Sequence, residues 1–294
     1  MPRTSEPGRS VSSRLLEVLF AFRPGHTRLT LAGLARQTGM PQATVRRLAL
    51  ELVRAGALDL GSDGSLTVGT RLWQLGTLAP RTQPLRTVAM PFLEDLYTAL
   101  RQHVQLAVLE GREAVVVERL SRPGAVGLTS QVGGRLPLHS SGVGKVLLAH
   151  ADGALFDGLV ERGLDRFTPR TVTDPAHLRR ELGDCRRTGT ATVREEMTAG
   201  ADSVATRIMD ADGHVVAALS VVVASGSVAL RTVIPSVVAS GLGMSRRLGW
   251  IPSVGVRHGV APGEAHPSAT GHLPAALPPV ADLPPPAGVD RSAF

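Results

Sequence analysis

Between residues 42 and 47 the chain gathers an amide, a hydroxyl and two guanidinium groups: Gln42, Thr44, Arg46 and Arg47. These groups suit DNA. Arg bonds bidentately to guanine and Gln to adenine in the major groove, while hydroxyls and guanidiniums also hold phosphate. Thr30, Ala43 and Ser62 complete the candidate DNA contacts. The plainer alternative is a solvated arginine face on an ordinary helical hairpin, and the flanking residues decide between the two.

Those side chains face outward together only if Val45, Leu48 and Leu52 turn inward on one helix. The stretch Leu31–Ala55 supplies such a frame. Thr30 can cap a first helix, Ala35 permits close packing, and Gly39 takes the positive φ of a tight turn. Pro41 stands where a helix start tolerates a missing N–H. The spacing predicts a helix-turn-helix with an exposed second helix. Ala57–Leu60 and Ser65–Val68 follow as two strand-like runs around Gly61-Ser62-Asp63-Gly64, a hairpin signal. A β-hairpin directly after the second helix is the wing of a winged helix.

Other candidate chemistry does not assemble. Gly142-Val143-Gly144-Lys145 looks like the end of a phosphate-binding loop, but His139 stands where that motif needs Gly and Val146 where it needs Ser or Thr. No Ser lies in a G-x-S-x-G elbow. His139 beside Ser140 and Ser141 reads as loop hydrogen bonding, because adjacent side chains on a turn rarely converge as base and nucleophile. Glu195 and Glu196, read as successive strand residues, point to opposite faces. His258, His266 and His272 have no spacing that fixes a metal geometry. No catalytic residue, metal site or cofactor is expected.

The remaining elements follow from period and punctuation. Val11–Phe22 reads as a helix that Ser12 or Ser13 can cap, and Arg23–Arg28 as a turn. Thr70–Leu78 starts a linker helix, which Pro80 and Pro84 interrupt. Thr87–Leu100 carries an apolar stripe of Met90, Leu93, Leu96, Tyr97 and Leu100, read as both core and dimer seam. Strands are expected at His103–Leu109, Ala114–Leu120, Val126–Thr129, Ala191–Arg194, Ser203–Met209 and His214–Val223. Helices are expected at Gly142–Ala149, Ala154–Arg162, Asp174–Arg187 and Ser236–Leu248. The pattern predicts an α+β fold with an antiparallel sheet. The domain reading is a mobile arm at 1–10, a winged helix-turn-helix at 11–69, a linker helix at 70–86, a second domain at 87–250 and a disordered Pro-rich tail at 251–294.

Composition agrees. Of the formal net charge of +7 over 294 residues, +5 falls within residues 1–80, where ten arginines meet Glu6, Glu17, Glu51, Asp59 and Asp63. Lys145 is the only lysine, so coding bias explains Arg over Lys but not this asymmetry. Basic charge lies where a phosphate-binding surface needs it. One cysteine, Cys185, excludes an internal disulfide and fits a reducing compartment. Met1–Ser13 lacks an apolar signal stretch, and the Val215–Ala224 run is too short to span a bilayer. The chain reads as cytoplasmic, with no membrane partner.

Taken together, residues 11–250 resemble the IclR family of bacterial transcriptional regulators. The resemblance rests on SRLLEVLFAF, LTLAGLARQTGMPQATVRRLALELVRAGAL, the wing, VGTRLWQLG, GGRLPLHSSGVGKVLLA, REEMTAGADSVATRIMDADGHVVAALSV and VVASGLGMSRRLGW, in that order. It implies a winged helix-turn-helix joined by a linker helix to a GAF-like effector domain. It also implies a homodimer or dimer of dimers that binds double-stranded operator DNA, with a small metabolite altering that binding. Members that sense short oxo-acids hold them with an acidic residue, a Cys and two Ser, at positions that fall here on Val193, Ser203, Ser220 and Val222. Ser220 matches, Ser203 is a polar stand-in, and Val193 and Val222 depart. Gly33 departs as well, where the family carries a carboxylate for its capping box.

The expected effector site therefore has the Glu195-Glu196 segment and the Ser203–Val223 hairpin as one wall, with the His139–Gly144 loop, which carries Ser140, Ser141 and Gly142, and the helix after it opposite. Its ligand should have an apolar or aromatic body and a polar end near Ser203 or Ser220. The leading reading is a ligand-responsive, sequence-specific repressor of a metabolic operon. Two alternatives compete with it: an enzymatic or metabolite-binding domain fused to a DNA-binding module, and an architectural DNA-binding protein without effector.

Overall fold

The computed structural model describes residues 10–78, 83–121 and 130–251. The strand expected at Val126–Thr129, the tail from residue 252 and most of the N-terminal arm lie outside them.

The first helix, α1 (Val11–Phe20), starts at the expected residue and ends two residues before Phe22, but its cap is Ser10 and not Ser12 or Ser13: the Ser10 Oγ accepts from the Ser13 N–H. Helix α2 (Leu31–Thr38) is capped by Thr30 and ends at Gly39, whose φ of 67° turns the chain towards α3 (Gln42–Arg54). Val18, Leu34, Val45, Leu48 and Leu52 bury together. Strands β2 (Leu58–Leu60) and β3 (Leu66–Val68) form the expected hairpin. A further strand, β1 (Arg28–Leu29), pairs with β3 where the sequence reads as a turn. Leu29 is apolar and buried there, so pairing follows from where its side chain must go.

Helix α4 (Thr70–Gly76) leaves Trp73, Leu75 and Leu78 beside it exposed. Helix α5 (Gln83–Leu100) begins four residues before Thr87, so Pro84 sits in its first turn and does not interrupt it.

The second part of the chain is built on a six-stranded sheet in the order β6-β5-β4-β9-β8-β7, with every pair antiparallel. Its strands are β4 (His103–Glu110), β5 (Glu113–Leu120), β6 (Arg135–Pro137), β7 (Thr190–Arg194), β8 (Ala201–Met209) and β9 (Val215–Ala224). Between them come α6 (Gly142–Ala149), α7 (Gly153–Arg162) and α8 (Pro175–Thr188), and α9 (Leu230–Arg247) closes the domain. Helix α9 begins six residues before Ser236, with Pro235 carried inside it.

Strand alternation sends Val104, Leu106, Val204, Leu219, Val221 and Val223 to one face, where Leu93 and Leu96 of α5 and Val233 and Val237 of α9 cover them. The other face carries Ala107, Ala114, Ala205 and Ala218 under α6 and α8. Small side chains there let α6 lie close to the sheet. Gly144 makes the tightest approach: a Cβ on it would stand 2.5 Å from the Pro137 carbonyl oxygen. The α+β class with an antiparallel sheet is thus observed.

Candidate functional site

Two regions carry the residues singled out by sequence. On α3, Gln42, Ala43, Arg46 and Arg47 are exposed and Thr44 is half-buried, with Val45 and Leu48 inward. Neither Arg46 nor Arg47 meets a carboxylate among the described residues, unlike Arg54, which pairs with Glu51 at 2.8 Å. Thr30 is exposed, and its Oγ1 accepts from the Gly33 N–H. That bond forms without the family's carboxylate at residue 33. Ser62 is exposed at the wing turn beside Asp63. Asp63 Oδ1 accepts from both the N–H and the hydroxyl of Ser65, which hold its carboxyl below the ordinary range, and Arg28 pairs with its Oδ2.

The second region is a hollow between the alanine face of the sheet and the start of α6, enclosing about 440 Å³ counting its open mouth. Val193, Ser203 and Val222 stand side by side across β7, β8 and β9, since the register pairs Val193 with Ser203 and Ser203 with Val222. Opposite them lie Ser140, Ser141 and Gly142. Ser220 does not line the hollow. Alternation places it on the same face as Val222, but two residues along the strand it sits opposite Ala205 and Gln105, wholly buried. Its Oγ has no hydrogen-bond partner among the described residues.

The hydroxyls of the hollow differ in availability. Ser141 is engaged: its Oγ accepts from the Gly144 N–H and donates to the Pro137 carbonyl, capping α6. Ser140 donates to Met197 Sδ at 3.7 Å, a weak contact. Ser203 is 8% exposed, and its Oγ has no partner among the described residues. His139 bonds the Asp165 carbonyl through Nε2, the loop role expected of it.

Sequence reasoning missed half of the lining: Gln105, Ser130, Leu136, Met197, Thr198 and Ala201. Gln105 was detectable as a polar residue inside a strand that is buried on both faces. It also missed the support beneath the hollow. Lys145, 2% exposed, donates from Nζ to Glu181 and Glu196, both at 2.6 Å. A lysine inside the apolar run of α6 can be buried only when paired, which was the available signal. Glu195 and Glu196 lie beyond the end of β7, not on it, and Glu195 takes a left-handed φ of 54°. Glu196 turns inward to Lys145 while Glu195 meets Arg170. Burial pushes the Glu196 carboxyl above its ordinary range against the pull of Lys145. The Glu196 carbonyl accepts from Thr171 Oγ1 at 2.6 Å, so the segment presenting Met197 and Thr198 is anchored on two sides.

Comparison with known proteins finds a match for each of the two parts of the chain that hold these regions. Residues 12–59 match the family model described as the IclR helix-turn-helix domain, and residues 78–241 the one described as the bacterial transcriptional regulator IclR C-terminal region. The chain is 32% identical over 222 residues to the Pca regulon regulatory protein of Pseudomonas putida, covering 74% of this chain and 76% of that one. It is 28% identical over 213 residues to the transcriptional repressor IclR of Escherichia coli K12, covering 71% and 78%. An IclR homolog of Microbacterium hydrocarbonoxydans, solved in complex with 4-hydroxybenzoate, is similar at a TM-score of 0.77 and 36% identity, covering 81% of this chain and 99% of that one. The chain belongs to the IclR family of bacterial transcriptional regulators.

Proposed function

We propose that this protein represses a metabolic operon and releases it in response to an organic acid with an aromatic body, bound in the hollow beside α6. One observation carries the ligand class. Apolar Leu136, Val193, Met197 and Val222 surround the unpartnered Ser203 hydroxyl at the start of a helix. Apolar lining makes a small, highly charged ligand costly to desolvate and favours a larger apolar body. The positive end of the helix dipole, beside a free hydroxyl, favours a carboxylate at that point. The relative that binds 4-hydroxybenzoate supports the same class. A thermal-shift panel of glyoxylate and pyruvate against benzoate and hydroxybenzoates tests it. Stabilisation by the aromatic acids is expected, and stabilisation by the short oxo-acids alone would overturn the reading.

The DNA contacts are assigned to Gln42, Thr44, Arg46 and Arg47, with Thr30, Ala43 and Ser62 flanking them. The exposed, carboxylate-free guanidiniums of Arg46 and Arg47 support this. The working form is a homodimer. Phe20 at 76%, Trp73 at 67% and Leu78 at 74% exposure are apolar surfaces that a second copy would cover. A dimer implies a pseudo-palindromic operator with half-sites about one helical turn, or a multiple of it, apart.

A further inference from the structure

Gln105 is 5% exposed and lines the hollow from β4, two strands away from Ser203 on β8. Its Oε1 accepts from the buried Ser130 hydroxyl at 3.1 Å. The Ser130 carbonyl in turn accepts from the Arg119 guanidinium, so the hydroxyl that orients the amide is itself held. The Gln105 Nε2 has no acceptor among the described residues and is not one of their fully buried unpartnered atoms, so on a residue that lines the hollow it is a donor that a ligand oxygen can use. The Arg119 backbone N–H donates to Glu118 Oε1, but the Arg119 guanidinium meets no carboxylate among the described residues: its Nε bonds the Ser121 hydroxyl, its Nη2 stands 3.4 Å from His103 Nδ1, and burial lowers its pKa. Its charge makes this end of the hollow favourable to an electron-rich oxygen.

We propose that Gln105, oriented by Ser130, is a specificity-determining residue of the pocket, donating from Nε2 to an oxygen substituent at the end of the effector remote from Ser203. This rests on the effector reading above and narrows it to aromatic acids that carry a hydroxyl on the far side of the ring from the carboxylate. The span fits. Gln105 shares a row with Ser220 and Ala205, so Ser203 lies two strands across and two residues along from it, a backbone separation of about 12 Å. A hydrogen bond of about 2.8 Å at each end then leaves about 6 Å, the oxygen-to-oxygen reach of one para-substituted ring.

Calorimetric titration of the full chain with benzoate and 4-hydroxybenzoate, in wild type, Gln105→Leu and Ser130→Ala, tests the assignment. The wild type should prefer 4-hydroxybenzoate by about ten-fold, the worth of one good hydrogen bond. Gln105→Leu should bring that preference, read as the ratio of the two affinities within the variant, to near one. Ser130→Ala, which leaves the amide in place but unheld, should give an intermediate ratio. An unchanged ratio in Gln105→Leu overturns the proposal, as does a wild type that binds the two acids equally. Should Gln105→Leu fail to fold, an unchanged ratio in Ser130→Ala overturns it. A wild type that binds neither acid refutes the effector reading itself and this inference with it.

Discussion

Ser203 Oγ lies 2.7 Å from the point where a Cβ on Gly142 would stand, so α6 meets β8 closely only because residue 142 is glycine. Ser203 Cβ is at 3.6 Å from the same point, an ordinary contact, while Ala205 Cβ is tight at 3.3 Å. Gly142→Ala should therefore cost about 1–3 kcal/mol through overpacking and remove ligand-induced stabilisation. Adding Ser203→Ala removes the closer clash and should recover most, though not all, of the melting temperature. A double-mutant cycle by thermal denaturation measures this coupling, and simple additivity would contradict it.

The Lys145–Glu196 pair should be strongly asymmetric under mutation. Lys145→Met leaves the Glu196 carboxylate buried without its cation, a loss of about 3–5 kcal/mol. Glu196→Gln keeps an acceptor near Lys145, which also retains Glu181, so the fall should be smaller. Denaturant titration of the two variants checks the order. Equal losses would mean that the pair does not anchor the segment bearing Met197.

Cys185 should behave as an inert core thiol. It is 2% exposed, and burial pushes its thiol from 9.0 up to about 11. The folded value lies above the unfolded one, so the stability it contributes is complete below about pH 9 and is lost as the pH rises towards 11. That difference corresponds to about 3 kcal/mol. An aromatic disulfide reagent at pH 8 should leave the native protein unmodified and react at once in denaturant. Prompt labelling of the native chain would contradict this.

The helix-turn-helix was legible because its signals are local. Gly39 marks the turn, and Val45, Leu48 and Leu52 mark the inward face. Asp174 followed by Pro175 announced α8 just as plainly. Strands β1 and β6 were not legible, because two or three residues carry no period and their pairing with Leu66 and with Ala114 is set by distant chain. Pro235 hid the start of α9, since a proline reads more naturally as a helix beginning than as its interior. In the hollow, alternation fixed which face Ser220 occupies but not how deep it lies, and depth removed it from the lining. Gln105 and Ser130 come together through β4 and the chain after β5, a contact 25 residues long in sequence that no spacing rule anticipates.

The central claim is that α3 reads operator DNA and that the hollow controls it. It is tested most directly by fluorescence anisotropy on genomic fragments retained by the purified protein, with and without the aromatic acid that stabilises it most. The Arg46→Ala, Arg47→Ala double variant should lose about 1–3 kcal/mol or more of operator affinity. Saturating ligand should weaken wild-type binding by about 5–150-fold, the usual range of coupling between two sites. Operator affinity unchanged in both experiments would contradict the account.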